Sequence, residues 1–472
     1  MPQDNDDADR PEYPFGATTP QEAQVAQILR VYGQHVEPGP ENWREEGIQF
    51  FMRRDCLLIQ DEYADRVRAA LGADFLPDPG SDDAVRRDAD YPRDGTVAYG
   101  IQWVWLRSGA GVFSALNKIA GAWELRNLPE DAVAPEYVVY TANTGSKCPA
   151  DEPTPVPADT PLDPLASCDP RAGAGVRVVV LDTGLDPAAT ALPWMRGVEG
   201  DPDPGIDPNQ QVLQPYAGHG TFIAGIIRSV APAAEVIVRA AFPPLDTTFA
   251  TSPLALTFEG QLVTAIERAL VVDNPDVISL SAGTDVLPGH RLSLLNRFYQ
   301  RKLSRYKGVV IVAAAGNDRR REPFHPAAEK WAVSAGALSA NLRGRAYFTN
   351  YGGWVDAYAP GENLVNAFPS GTLTYLEPPR KGNKGLFAGL ARWSGTSFAT
   401  PVVAGLIAVR MSRTGEGGQD AARAVIEQAR GSALVGVGAV ALPEDAHGEG
   451  CHCPGPSAGN HHHHHHHTPA DH

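Results

Sequence analysis

Four short apolar runs constrain this chain most: VRVVVL (176–181), EVIVR (235–239), VISL (277–280) and VVIVA (309–313). They are rich in β-branched residues, and stretches of helical periodicity such as 262–272 lie between them. Strands that read as unbroken apolar runs are buried on both faces, and helical crossovers between them make the strands parallel. Residues 173–442 therefore read as an α/β domain, a parallel sheet covered by helices on both faces. In such folds the chemistry sits at the carboxyl ends of the strands.

Four element ends in this region carry reactive groups. VVVLDTG (178–184) ends a strand on Asp182, ahead of a Thr-Gly turn, which puts a partly desolvated carboxylate at the sheet edge. Taken alone, such an Asp equally serves as a turn or cap residue. GHGTFIAG (218–225) sets His219 between two glycines that let other backbone approach, at the head of an apolar helix that Thr221 can cap. SGTSFATPVVAG (394–405) sets Ser397 at the head of a second apolar helix, with Pro401 one turn in. A hydroxyl there lies beside unpaired backbone N–H groups and the positive end of the helix dipole, both of which favour negative charge on a substrate carbonyl. GVVIVAAAGND (308–318) ends a buried strand at Gly316-Asn317, whose amide can donate to an oxyanion or hold a left-handed turn. Asp, His, Asn and Ser at four separate element ends of one domain form a constellation suited to nucleophilic catalysis.

These blocks, DTG, GHGT, GTSFATP and the Asn317 segment, make residues 173–441 resemble the subtilisin-like serine proteases, the subtilases; the chain order Asp, His, Ser is also theirs. The resemblance implies a serine endopeptidase in which Ser397 is the nucleophile, His219 the general base and Asp182 its orienting partner, with Asn317 in the oxyanion hole. It implies that Ser281, Ala282 and Gly283 bind an extended substrate as an added strand, and that Ala313, Ala314, Ala315 and Gly316 form the opposite wall of the pocket. Phe222 stands where the family usually has a second histidine, outside the triad. No cofactor is required. Many members bind calcium, and the acidic run DPDPGID (201–207) offers carboxylates, although its Pro and Gly content suits a plain loop. Two other readings stay open: a catalytically silent binding or regulatory protein on the same scaffold, and an esterase or other acyl hydrolase using the same triad.

The rest of the chain frames this domain. Residues 1–47 are a polar extension with one amphipathic stretch near 22–32, expected to be a short surface helix. Residues 48–143 alternate as strand (55–60), helix (63–71), strand (97–106), helix (112–120) and strand (136–141), a small α+β unit of the ferredoxin-like kind. It resembles the propeptide that in many subtilases assists folding and blocks the cleft, which would make the chain's own N-terminal region an inhibitor and possible target of self-processing. Residues 144–172 are Pro-rich and read as an extended linker without a core. After 443 comes a Gly/Pro/His-rich tail, expected to be disordered, with Cys451, His452, Cys453 and seven histidines (461–467). The tail is either a transition-metal-binding tract or an expression tag.

Charge excludes one class of partner. With 40 basic and 56 acidic side chains the net charge is −16, the opposite of a surface built for nucleic acid. Polypeptide substrates are the expected partners, and no apolar run reaches the roughly 18 residues of a membrane span. The first residues, MPQDNDDADRPEYPFG, have no apolar signal core. A cytoplasmic location follows from that absence, with secretion by another route or from a different start left open. Five cysteines, an odd number, suit a reducing compartment, so Cys148 and Cys168 are expected to be free surface thiols, although under oxidising conditions they could pair.

Overall fold

A computed structural model describes residues 20–80, 83, 85–88, 91–141, 151–242 and 255–444. Its centre is a seven-stranded sheet whose strands all run parallel. In space the order is Ala357–Pro360, Ala332–Leu338, Val310–Ala314, Val277–Leu280, Arg177–Asp182, Glu235–Ala240 and Glu199–Gly200. The four apolar runs thus form the middle of the sheet. The order reverses at Arg177–Asp182, because the chain first builds outward on one side and then returns to build on the other. A reversal of this kind opens a crevice at the carboxyl end of the strand, and Asp182 ends that strand.

The strands Val310–Ala314, Val277–Leu280 and Arg177–Asp182 are buried on both faces, while Glu235–Ala240 buries one face fully, and alternate side chains feed different cores. Val178 and Val180 join the helices His219–Val230 and Thr396–Thr414 in one apolar cluster. Val179 and Leu181 join the helices Glu259–Arg268 and Ser293–Arg301 on the other face. The helix expected over 262–272 begins at Glu259 and stops at Arg268. A wider turn, Ala269–Asp273, follows and leads to Asn274 in the left-handed region at φ 48°.

The N-terminal unit has the strand and helix order read from the sequence, with one difference. The strand expected over 97–106 is a hairpin of Val97–Ala98 and Ile101–Trp105, because Tyr99 and Gly100 both take positive φ, 51° and 75°. Two such residues make the tight turn that suits a two-residue hairpin. In this sheet Phe50–Gln60 lies between Val133–Thr141 and Ile101–Trp105, all antiparallel. The helices Ala64–Leu71 and Val112–Gly121 pack on it through Val67, Leu71, Ala115 and Ile119. These side chains belong to the same apolar cluster as Leu262 and Phe298 of the α/β domain, so one core runs through both units.

Three expectations change. The stretch near 22–32 is the helix Pro20–Tyr32, and it is not a surface helix: Val25, Ile28 and Tyr32 pack with Val138, Tyr140, Tyr216, Leu256 and Phe258. The Pro-rich segment does not run free where it is described. Thr154–Pro155 pairs with Leu390–Trp393, and Val156 and Leu162 are buried against Val365 and Leu390. Proline removes N–H donors without preventing edge pairing or apolar packing, which is how a segment of this composition straps onto a domain. Cys168 is disulfide-bonded, not a free thiol, and its partner lies outside the described residues. Beside it, Ser167 N–H donates to the Ser229 carbonyl at 2.8 Å. Cys148, Cys451, His452, Cys453 and the seven histidines also lie outside the described residues.

Candidate active site

Asp182 and His219 meet over a short contact, Oδ1 to Nδ1 at 2.6 Å, with both side chains wholly buried. A carboxylate at Nδ1 makes that nitrogen the donor and leaves Nε2 as the acceptor. The Thr183 N–H donates to the same Asp182 oxygen at 2.8 Å and fixes the carboxylate. Glycine makes the approach of the two elements possible. Gly218 has φ 85°, and a Cβ at Gly220 would collide with the Gly184 carbonyl oxygen.

A residue outside the expected set supports this pair. Asp203 accepts from the N–H groups of Gly218 and Gly205, each at 2.8 Å, and so pins the turn before His219. Burial first, and Asp182 nearby in addition, push its carboxyl up to about 7. The sequence singled out this acidic run only as a calcium candidate. Its carboxylates have protein donors instead: Asp201 holds Arg239 and Ala240 N–H, and Asp207 holds Asn209 and Gln210 N–H. Among the described residues no group of three or more His, Cys, Asp or Glu is arranged to hold a metal. Thr221 differs too. It lies inside the helix and accepts from Asp186 N–H at 2.8 Å, so it is not the cap.

Ser397 is the second residue of the helix Thr396–Thr414. Pro401 sits four residues later and has no N–H for the Ser397 carbonyl. Ser281 Oγ fills that role, donating to the carbonyl at 2.6 Å. Asn317 is tied to the same turn from the other side. Its Oδ1 accepts from Thr396 N–H and Thr396 Oγ1, both at 2.9 Å, and Gly316 N–H donates to Thr396 Oγ1 at 3.0 Å. With Oδ1 so committed, the amide nitrogen is turned away from Thr396.

Three buried polar atoms here have no hydrogen-bond partner among the described residues: Ser397 Oγ, His219 Nε2 and Asn317 Nδ2. Buried polar atoms are almost always satisfied, so orphans gathered at one place call for a function. Aromatic rings enclose the imidazole. Trp393 stands edge-on at 5.4 Å and Phe398 at 5.2 Å between ring centroids. Phe222 packs against both of these rings, at 5.6 and 4.7 Å.

Ser281, Ala282 and Gly283 follow the strand Val277–Leu280, and Ala313 and Ala314 end the neighbouring strand, with Ala315 and Gly316 next; all seven are buried. Ala282 and Gly283 already carry an antiparallel partner. Thr141 faces Ala282 and Tyr140 faces Gly283, while Val138–Tyr140 pairs on its other edge with Leu256–Phe258. The last strand of the N-terminal unit therefore lies in the expected substrate channel. The chain is next described at Asp151, whose carbonyl accepts from Trp393 Nε1 at 2.8 Å and whose carboxylate accepts from Ser394 N–H at 3.3 Å.

The family model of the subtilases matches residues 173–450. A thermophilic serine proteinase of Bacillus sp. (strain AK1) is 31% identical over 250 residues, 52% of this chain and 54% of that protein. Subtilisin NAT of Bacillus subtilis subsp. natto is 28% identical over 248 residues, 51% and 56% of the two chains. The chain thus spans about half the length of these curated relatives. Among solved structures, the prenylagaramide maturation protease PagA is similar at 26% identity, covering 56% of this chain and 84% of that one with a TM-score of 0.41. With the family model matching more than half of its residues, the chain belongs to the subtilase family.

Proposed function

We propose that this subtilase is a serine endopeptidase, and that its N-terminal unit is a ferredoxin-like propeptide that occupies the cleft until it is cut. The observation that carries the reading is the set of three orphaned atoms. A nucleophile, a base and an oxyanion donor are the three groups that must be kept free for a substrate.

In this reading Ser397 Oγ attacks the carbonyl carbon of the scissile bond. His219 Nε2 takes the hydroxyl proton and later delivers it to the leaving amine. Asp182 holds the imidazole in the required tautomer and stabilises its cationic form. The oxyanion is held by Asn317 Nδ2 and the Ser397 backbone N–H. The orienting bonds to Thr396 are already made before substrate arrives, so the donor needs no reorganisation as charge develops. A substrate strand takes the place of Val133–Thr141 along Ala282 and Gly283.

The test compares wild type with Ser397→Ala by intact mass and N-terminal sequencing. The wild type is expected to lose its N-terminal unit through a cut after Thr141 and before Asp151, while the variant stays whole. Should both stay whole and a fluorophosphonate fail to label Ser397, the peptidase reading is wrong.

A further inference from the structure

The chain carries 56 acidic against 40 basic side chains, yet beside the candidate site the balance reverses. Two loops meet there: 317–323, which starts at Asn317, and 341–351, which follows the strand Ala332–Leu338. Arg319, Arg321, Arg343 and Arg345 on these loops are all exposed, and among the described residues none has a carboxylate partner. Arg320 differs, being paired with Asp285 and Glu322 at 3.5 and 3.3 Å. In so acidic a chain, four exposed arginines without carboxylate partners among the described residues stand out.

Three of the four are also held in place. Arg319 lies over the Tyr347 ring at 5.2 Å, Arg345 over Tyr351 at 3.9 Å and Arg321 over Tyr351 at 5.6 Å. The backbone beneath is cross-tied. Asn350 Oδ1 accepts from Asp318 and Arg320 N–H at 2.9 and 3.1 Å. Arg319 N–H donates to the Phe348 carbonyl at 3.0 Å, and Trp354 Nε1 to the Arg321 carbonyl at 2.7 Å. A guanidinium stacked on a ring above a fixed backbone loses little freedom when it meets a carboxylate.

The surface has a direction. The N-terminal unit's last strand reaches the cleft along Gly283 and Ala282 and marks the upstream side. Asp151, next to Ser394, marks the downstream side. The loop that carries Arg343 and Arg345 starts on that side: Ala340 N–H donates to Glu362 at 2.9 Å, and the residue after Glu362, Asn363, donates its N–H to Ser394 Oγ at 2.9 Å. The described chain resumes on that side with Asp151-Glu152.

We propose that Arg319, Arg321, Arg343 and Arg345 form a docking surface for acidic side chains of a polypeptide substrate, downstream of the bond that is cut. This rests on the peptidase reading. The test uses the full-length chain after any self-processing and two internally quenched peptides. Both carry EYVVYTA (136–142) upstream; downstream one has three Glu where the other has three Gln. The Glu peptide is expected to show at least about fivefold higher kcat/KM at about 50 mM salt, falling toward parity at about 500 mM as the charges are screened. In Arg319→Gln/Arg345→Gln the low-salt ratio should drop below about twofold. A ratio is insensitive to the fraction of chain that folds. Equal cleavage of the two peptides by a chain whose Ser397 takes a fluorophosphonate overturns the docking surface alone, as does a ratio unchanged in the double variant. No label and no cleavage of either peptide overturns the peptidase reading, and the surface goes with it.

Discussion

Ser281 Oγ donates to the Ser397 carbonyl at 2.6 Å, and Pro401 is the reason that carbonyl is available. Both groups are buried, so removing the hydroxyl leaves an acceptor unsatisfied at a cost of about 1–3 kcal/mol. Ser281→Ala should lower unfolding free energy by that amount and slow fluorophosphonate labelling of Ser397. Pro401→Ala restores an N–H four residues on. In that background the Ser281→Ala penalty should shrink by about half or more, a coupling that a double-mutant cycle in urea measures. Additive penalties would mean that proline and hydroxyl do not act on the same carbonyl.

Thr396 sets the direction of the Asn317 amide. Asn317→Ala should reduce kcat by about 10²–10³-fold, the size of loss seen for the oxyanion asparagine of subtilisin itself. Thr396→Val keeps the backbone donor but removes the hydroxyl that holds both Asn317 Oδ1 and Gly316 N–H. Its expected loss is about tenfold in kcat with KM little changed, because the donor is misoriented and not deleted. Stopped-flow acylation on a peptide ester separates the two variants.

Glu136 joins the N-terminal unit to the α/β domain. Its fully buried carboxylate receives Arg53 Nε, Trp103 Nε1 at 3.1 Å and Gly260 N–H at 3.0 Å, the last in the first turn of Glu259–Arg268. A carboxylate at a helix N-terminus is favourable, and here it comes from the other unit. Glu136→Ala strands Arg53 as a buried, unpaired cation, which should cost about 3–5 kcal/mol. The separately produced N-terminal unit should then inhibit the processed enzyme at least about 100-fold less well. An inhibition constant equal to wild type would place the docking energy elsewhere in the seam.

The central sheet was legible because it is written in local pattern: VRVVVL and VVIVA are short, apolar and β-branched, which favours buried strands. Asp182 and Asn317 stood out at or just after the ends of apolar strands, and His219 and Ser397 at the heads of apolar helices, each within two residues of glycine. What the sequence hid depends on contacts far along the chain. Asp203 looked like part of an acidic loop because nothing local says that its carboxylate will meet the Gly218 N–H fifteen residues on. The helix Pro20–Tyr32 looked like surface because its apolar face waits for Tyr140 and Leu256. Glu152 lies in a segment whose prolines advertise a linker, yet its carboxylate takes the N–H groups of Leu376 and Glu377.

That last contact makes the strap sensitive to pH. Glu152 and Glu377 are buried with Asp151 half-buried beside them, and loss of solvent raises all three, Asp151 to about 7 and Glu377 to about 8. Facing them are Arg380, the Gln24 amide that donates to Glu377, the hydroxyls of Tyr216 and Tyr375, and, toward Asp151, Glu362. Arg380 is the cation of this set, and it is also tied to Thr154 Oγ1 and the Glu152 carbonyl. Unfolded carboxyls titrate near 4. Between about pH 4 and 8 the folded chain therefore holds protons that the unfolded chain has released, and stability falls as pH rises through that window. The melting temperature should drop between pH 5.5 and 8.5. Glu377→Gln keeps an acceptor for Gln24 and cannot ionise, so it should shrink the drop. Paired thermal melts of wild type and variant at the two pH values, with Ser397→Ala in both to prevent self-cleavage, decide it: parallel drops would show that Glu377 stays ionised in the fold across the range.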